Sequence, residues 1–316
     1  MLIKVQCIKM NQEMTLKLSE SVDMPMIGFG TYLLSDEDAE TCVSNAITVG
    51  YRHIDSAEGY ANEQGVGKAI NNAITNQEVE RKDLFVTTKF WPGNPAWGDA
   101  PKTFETTIES CNASLDRLQL SYIDLYLIHA PFDRENRLEQ WRALIKLKRQ
   151  GKVLAIGVSN YREPHIEEIR SAGLPLPEVN QIELHPWSQK PELVSYLKKH
   201  SIPMIAYSSL LPLSTWRVEE GQDSAKTELM NQDGAKPNSP FKKMAEKYGV
   251  SEAQILLRWG VQNGYAVLPK SVSEERARQN LDLLDFEIDA HDIDKIRLMD
   301  RGEGLAWSHG DPSQAA

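Results

Sequence analysis

Four side chains of this 316-residue sequence stand out by type and spacing: Asp55, Tyr60, Lys89 and His129. A tyrosine hydroxyl ordinarily titrates near about 10, too high for an efficient acid at neutral pH. A neighbouring ammonium favours the phenolate and lowers that value, and Lys89 is a candidate for the role. A buried lysine needs an opposite charge, which Asp55 can supply. His129 can donate or accept a hydrogen bond at a substrate oxygen. Such a set suits protonation of a developing alkoxide, as in carbonyl reduction. Singly, each has a plainer explanation. A strand-end Asp is usually a helix cap, a Lys a solvated charge, a His a bonded core residue, a Tyr a packing residue with a wet tip. The chemistry therefore depends on whether the fold brings the four together.

The pattern of the chain implies that it does. Short apolar runs, read as strands buried on both faces, fall at Met26–Gly28, His53–Asp55, Leu84–Lys89, Ile123–His129, Ala155–Ser159, Glu178–Ile182, Pro203–Tyr207 and Ala266–Pro269. Amphipathic stretches between them predict helices over 36–49, 62–72, 103–118, 138–150, 163–172, 192–200, 252–262 and 274–283. Ser35 and Gly50 are good start and stop signals for the first. The alternation fits a (β/α)8 TIM barrel or a doubly wound sheet. The latter wants GxGxxG after its first strand, but Gly28-Phe29-Gly30-Thr31-Tyr32-Leu33 lacks the third glycine. In a barrel the reactive face is at the C-terminal strand ends. Asp55, Lys89 and His129 stand there, with Tyr60 five residues past Asp55. Outside the alternation, 14–25 reads as an N-terminal β-hairpin and 208–239 as a long insert, a functional loop or a tolerated insertion. Residues 240–248 read as an extra helix, and a helix and irregular tail follow Asp289. The whole, 1–316, is expected to be a single domain.

A net charge of -10, spread along the chain, argues against nucleic acid or an anionic membrane as partner. Cys7, Cys42 and Cys111 form no CxxC pair, and three cysteines suit no disulfide framework. With no signal-peptide pattern and no long apolar run, the expectation is a soluble, cytoplasmic monomer acting on a small molecule. His53, His129 and His185 lack ligand spacing, so no metal is expected.

Several segments resemble those of one family. Gly50-Tyr-Arg-His-Ile-Asp-Ser-Ala57, followed by Tyr60 and Asn62-Glu63, is similar to the first signature of the aldo-keto reductases. Leu127-Ile-His-Ala-Pro131 resembles their catalytic-histidine segment, and Leu268-Pro-Lys-Ser-Val-Ser273 with Arg276 and Asn280 their cofactor signature. Gly157-Val-Ser-Asn160 and Gln181-Ile-Glu-Leu-His-Pro186 match further segments. The resemblance implies a tetrad of Asp55, Tyr60, Lys89 and His129 in which Tyr60 is the general acid. It also implies an NAD(P)H-dependent reductase of aldehydes or ketones. A weakly catalytic cofactor-binding regulator on the same barrel is the alternative.

The resemblance also assigns cofactor contacts. Ser159, Asn160 and Gln181 would grip the nicotinamide carboxamide, and Tyr207 would stack on the ring. Gly30, Thr31 and Tyr32 would lie beside its reactive end, and Ser208 and Leu210 on the pyrophosphate side. Gln279 and Asn280 would touch adenine. Lys270, Ser271, Ser273 and Arg276 suit a 2′-phosphate dianion at a helix start, which favours NADPH over NADH. Tyr32, Trp91, Ala130 and Phe132 are expected to line the substrate pocket, with Trp216 or Trp307 joining. Ala130 stands where the family often has Trp, so the pocket is expected to be reshaped there. His129-Ala-Pro-Phe132 resembles a fungal branch that reduces α-keto amides and conjugated polyketones.

Overall fold

The computed structural model describes residues 14–213, 239–302, 304–307 and 310–315. Trp216, Cys7 and most of the long insert lie outside them. A hairpin of β1 (Thr15–Lys17) and β2 (Asp23–Pro25) comes first, in antiparallel register with Leu16 opposite Met24. Eight parallel strands follow in sequence order: β3 (Phe29–Gly30), β4 (His53–Asp55), β5 (Phe85–Phe90), β6 (Ile123–Ile128), β7 (Val153–Ser159), β8 (Asn180–Glu183), β9 (Met204–Tyr207) and β10 (Ala266–Val267). The ends of this sheet meet. Ile27 bridges Val267, Val267 N–H donates to the Met26 carbonyl at 2.7 Å, and Gly30 N–H to that of Pro269 at 3.1 Å. The sheet thereby closes into the expected barrel.

The first barrel strand is displaced from its predicted place at 26–28. Residues 26–30 form one extended segment that serves two neighbours in turn. Its first half bonds to the last strand, and only Phe29–Gly30 pairs with β4. The apolar run marked the half that closes the barrel.

Side chains alternate across each strand, and the two faces form separate cores. Phe85, Leu125, Leu127, Ala155, Val179, Ile205 and Ala266 fill the barrel interior. Leu18, Val22 and Met24 of the hairpin plug it from the N-terminal end. The opposite faces, such as Tyr126, Ile128 and Ile156, pack against the helices.

The helices are α1 (Asp36–Val49), α2 (Glu63–Thr75), α3 (Phe104–Leu118), α4 (Arg137–Arg149), α5 (Glu163–Ser171), α6 (Pro191–Lys199), α7 (Pro240–Tyr248), α8 (Glu252–Gln262), α9 (Glu274–Leu281) and α10 (Ala290–Arg297). Each expected helix forms, with ends shifted by at most a few residues. Ser35 caps α1 by accepting from Asp38 N–H. Gly50 ends that helix at φ 120°, a conformation costly for other residues. Thr103, read as the first residue of a helix, is instead the cap of α3, in reciprocal bonds with Thr106.

Candidate active site

The alternation that fills the barrel with Phe85, Leu125 and Ile205 continues upward into polar side chains. In β5 the inward series runs Phe85, Thr87, Lys89, and in β6 Leu125, Leu127, then His129 just past the strand. In β8 it runs Val179, Gln181, Glu183, and in β9 Ile205, Tyr207. Period two thus delivers Lys89, His129, Gln181, Glu183 and Tyr207 to one end of the barrel.

At the centre, Lys89 is fully buried and all three of its ammonium hydrogens have acceptors. It donates to Asp55 Oδ1 at 2.6 Å, to the Ser56 carbonyl at 2.8 Å and to Tyr60 Oη at 3.3 Å. Asp55 spends its other oxygen on Gln181 Nε2, at 2.8 Å. Tyr60 reaches this point from a short 3-10 turn, Glu58–Tyr60, that ends on Ala61 in the left-handed region. Asn62 braces the turn. Its amide donates to the carbonyls of Thr31 and Leu34, and its oxygen accepts from Ser56 Oγ.

The expectation that Lys89 would pull the Tyr60 phenol below its ordinary value is not met. Burial, then Asp55 and Tyr32, push the phenol well above it. Lys89 itself is pushed down by burial, against the pull of Asp55. Burial and the Asp55 carboxylate outweigh the neighbouring ammonium at the phenol. What the lysine does fix is direction. Tyr60 Oη accepts from the ammonium, so its own hydrogen is left for another acceptor.

His129 lies across that cleft, its ring 5.6 Å from the Tyr60 ring and nearly perpendicular to it. Burial first, and Lys89 second, push it down to about 3, so it is neutral at physiological pH. Among the described residues its Nδ1, though buried, has no partner. An orphaned acceptor costs less than an orphaned donor, so the hydrogen belongs on Nε2. The arrangement offers a phenol O–H and an imidazole N–H to one oxygen.

Two further histidines are held neutral in the same way. Burial pushes both His53 and His165 down to about 4. Unfolded, all three would titrate near about 6.5. Below that pH the unfolded chain takes up protons that the folded one refuses, so stability falls with acid; above it neither state gains any. Urea unfolding is expected to show a loss of about 2 kcal/mol per histidine between about pH 7 and 5. A midpoint unchanged across that range would refute the neutral assignment.

Around this centre the cofactor candidates are already linked. Ser159 Oγ donates to the Gln181 carbonyl, and Asn160 Nδ2 to the His129 carbonyl and Ser159 Oγ. Tyr207 Oη donates to Asn160 Oδ1 at 2.7 Å. Thr31 Oγ1 donates to the Asp55 carbonyl, and Gly30 pairs with Asp55 in register. Asn160 and Ser208 hold φ near +60°, and such strain gathers at functional strand ends. Ser208 starts the turn that leads through Leu210 to a 3-10 turn at Leu211–Leu213.

At the other end of the groove, Ser273 caps α9 and Ser271 braces that cap. Lys270, Arg276 and Gln279 are exposed and Asn280 is buried. Among the described residues no ion pair involves Lys270 or Arg276. An exposed pair of cations beside a capped helix start fits a phosphate group, and Tyr207 offers a half-buried ring at the other end. The residues present therefore fit a phosphorylated dinucleotide.

Of the residues expected to line the substrate pocket, Trp91, Phe132 and Tyr32 lie near the tetrad and Ala130 does not reach the surface. Trp91 packs on Phe132 at 5.4 Å, and its indole N–H donates to Asp99. Tyr32 is half exposed against Tyr60, 5.0 Å away. Trp307 joins from the tail, stacked on Trp91 at 6.4 Å. Ala130, however, is fully buried and presents no surface to the cleft. Trp97, which the sequence reading passed over, stacks on Trp91 at 6.0 Å and packs on Phe132 at 5.3 Å. Gln140 was also missed. Buried on α4, it donates to the carbonyls of Pro92 and Lys102 and to Asp133, tying the loops that carry Trp97 and Phe132.

Known proteins resemble this chain over most of its length. The model of the aldo/keto reductase family matches residues 26–301. The NAD(P)H-dependent D-xylose reductase I,II of Candida tropicalis is 36% identical over 91% of this chain and 93% of its own. The glyoxal reductase of Bacillus subtilis (strain 168) is 38% identical over 92% and 94%. A crystal structure of a Bombyx mori aldo-keto reductase in complex with NADP superposes with a TM-score of 0.79 at 31% identity, covering 92% of this chain and 94% of that one. With a family model spanning most of its length, and relatives of this identity end to end, the chain belongs to the aldo/keto reductase family.

Proposed function

We propose that this protein is an NADPH-dependent carbonyl reductase in which Tyr60 donates the proton and Asp55, Lys89 and His129 prepare it. The observation that carries the reading is the triple engagement of the Lys89 ammonium, which leaves the Tyr60 hydroxyl hydrogen for another acceptor. When bound, NADPH supplies the hydride. His129 orients the substrate oxygen through Nε2–H, and Tyr60 protonates that oxygen as charge develops on it, because an alkoxide is a stronger base than the phenolate then left beside Lys89. Lys89 keeps its bonds to Asp55 and Ser56 while it faces the phenol oxygen. The aromatic wall of Trp91, Trp97, Phe132 and Trp307 favours an apolar or aromatic carbonyl compound.

Ser159, Asn160 and Gln181 would hold the carboxamide, Tyr207 the ring, and Lys270 and Arg276 the 2′-phosphate. The named cofactor of the Candida relative and the NADP in the Bombyx structure support this assignment. We take the chain to act as one catalytic unit, a cytoplasmic monomer. Among the described residues, no helix is long and apolar enough to cross a membrane.

The test is cofactor oxidation with aldehydes, dicarbonyls, keto esters and sugars, run with NADPH and NADH. Turnover favouring NADPH is expected. Tight NADPH binding with no turnover of any carbonyl would overturn the enzyme reading in favour of a regulatory one. Arg276→Ala is expected to raise the KM for NADPH about tenfold or more, the loss of one charge-assisted bond, with NADH use nearly unchanged. Equal losses with both cofactors would remove Arg276 from the phosphate site.

A further inference from the structure

Glu183 ends β8 two residues after Gln181, on the same face of the strand. It is 2% exposed, yet it touches no part of the proton-donating group. Its carboxylate serves the C-terminal tail instead. Oε1 accepts from Leu305 N–H at 2.6 Å and from His185 Nε2 at 2.8 Å, and Oε2 from Ala306 N–H at 2.9 Å. Gly304 makes the approach possible. A Cβ there would stand 3.0 Å from Glu183 Oε2 and 2.7 Å from Asp311 Oδ2. Further along, Lys190 pairs with Asp311 at 2.6 Å, and His165 Nε2 meets the Ala315 carbonyl at 3.0 Å.

The residue straight after this clasp is Trp307. Its ring packs on Trp91 and Phe132 and lies 6.2 Å from that of His129. Its indole N–H donates to Tyr207 Oη at 3.1 Å, and Tyr207 in turn bonds Asn160. We infer that Glu183 is a positioning residue: by clasping the amides of Leu305 and Ala306 it fixes Trp307 as one wall of the cleft and so sets affinity for aromatic carbonyl substrates. This inference rests on the carbonyl-reductase reading.

A carboxylate suits the task because both its oxygens only accept, and bonds from backbone N–H to a charged acceptor are short and strong. A glutamine has one accepting oxygen. Its amide nitrogen would face a backbone N–H, so one of the two tail amides would be released. The side chain keeps its size, and the barrel is expected to remain folded.

The experiment compares wild type, Glu183→Gln, Trp307→Ala and the double variant, with 4-nitrobenzaldehyde and methylglyoxal as substrates. Each single variant is expected to raise KM for the aromatic aldehyde about tenfold, the worth of a lost stacking wall, and KM for methylglyoxal by a clearly smaller factor. The double variant is expected to be no worse than Trp307→Ala alone, since both act through one ring. Tryptic cleavage after Arg301 should be faster in Glu183→Gln than in wild type. Additive losses, equal losses for both aldehydes, or unchanged cleavage would overturn the inference. A wild type that reduces neither aldehyde would instead sink the carbonyl-reductase reading, leaving the cleavage rate to decide whether Glu183 holds the tail.

Discussion

Tyr60→Phe is expected to cut NADPH-dependent carbonyl turnover by about 10²–10⁴-fold, the usual worth of a positioned general acid. The cause is local. Only the oxygen that receives the Lys89 hydrogen bond and its own hydrogen are removed; the ring stays against Tyr32 and His129. Lys89 keeps its two shorter bonds, to Asp55 and Ser56. NADPH affinity and thermal stability should therefore stay near wild type. Because burial and Asp55 hold the phenol high, it stays protonated through neutral pH, and His129 is already neutral there. The reduction rate of wild type should then be flat from about pH 6 to 8. Measuring kcat by stopped flow and NADPH affinity by fluorescence titration separates these effects. Turnover in Tyr60→Phe within a few fold of wild type would take the phenol out of the chemistry.

Much of this site was readable because a strand imposes period two on whatever it carries. Once His53–Asp55 and the runs ending at Lys89 and His129 are taken as parallel strands, their last inward residues must meet at one mouth. The structure brings Asp55, Lys89 and Tyr60 into bonding contact. The same rule could have found Glu183, two residues after Gln181 and so on the same face. It was passed over because an acidic strand end suggests no particular partner until the tail is placed.

Trp97 and Gln140 were out of reach for a different reason. They act between loops, and loop paths follow from no periodicity. The buried position of Ala130 is a related case. Composition says that a methyl leaves room, but whether that room opens to the cleft depends on neighbours from other loops. The electrostatic effect on Tyr60 was misjudged because Asp55 was weighed only as a partner for Lys89 and burial was left out. Burial is the larger cause that holds the phenol proton on, and Asp55 adds to it.

The buried pair gives the other large effect. Lys89→Met would leave Asp55 in the barrel with Gln181 Nε2 as its remaining side-chain donor, and the Ser56 carbonyl without its lysine. Removing one member of a buried ion pair typically costs about 3–5 kcal/mol, because the survivor keeps its charge and loses its solvation. Activity should vanish as well, since nothing would then hold the Tyr60 oxygen as an acceptor and leave its hydrogen for the substrate. Adding Asp55→Asn removes the stranded charge. The double variant should regain most of the lost stability, for replacing a whole buried pair by neutral groups of similar size is often nearly neutral. It should regain no turnover. Urea unfolding of the wild type, both single variants and the double variant measures the coupling directly. Strictly additive destabilisation would mean that the 2.6 Å contact between Lys89 and Asp55 carries little of the barrel's stability. Recovered turnover in the neutral double variant would show that the phenol needs no charged neighbour to aim it.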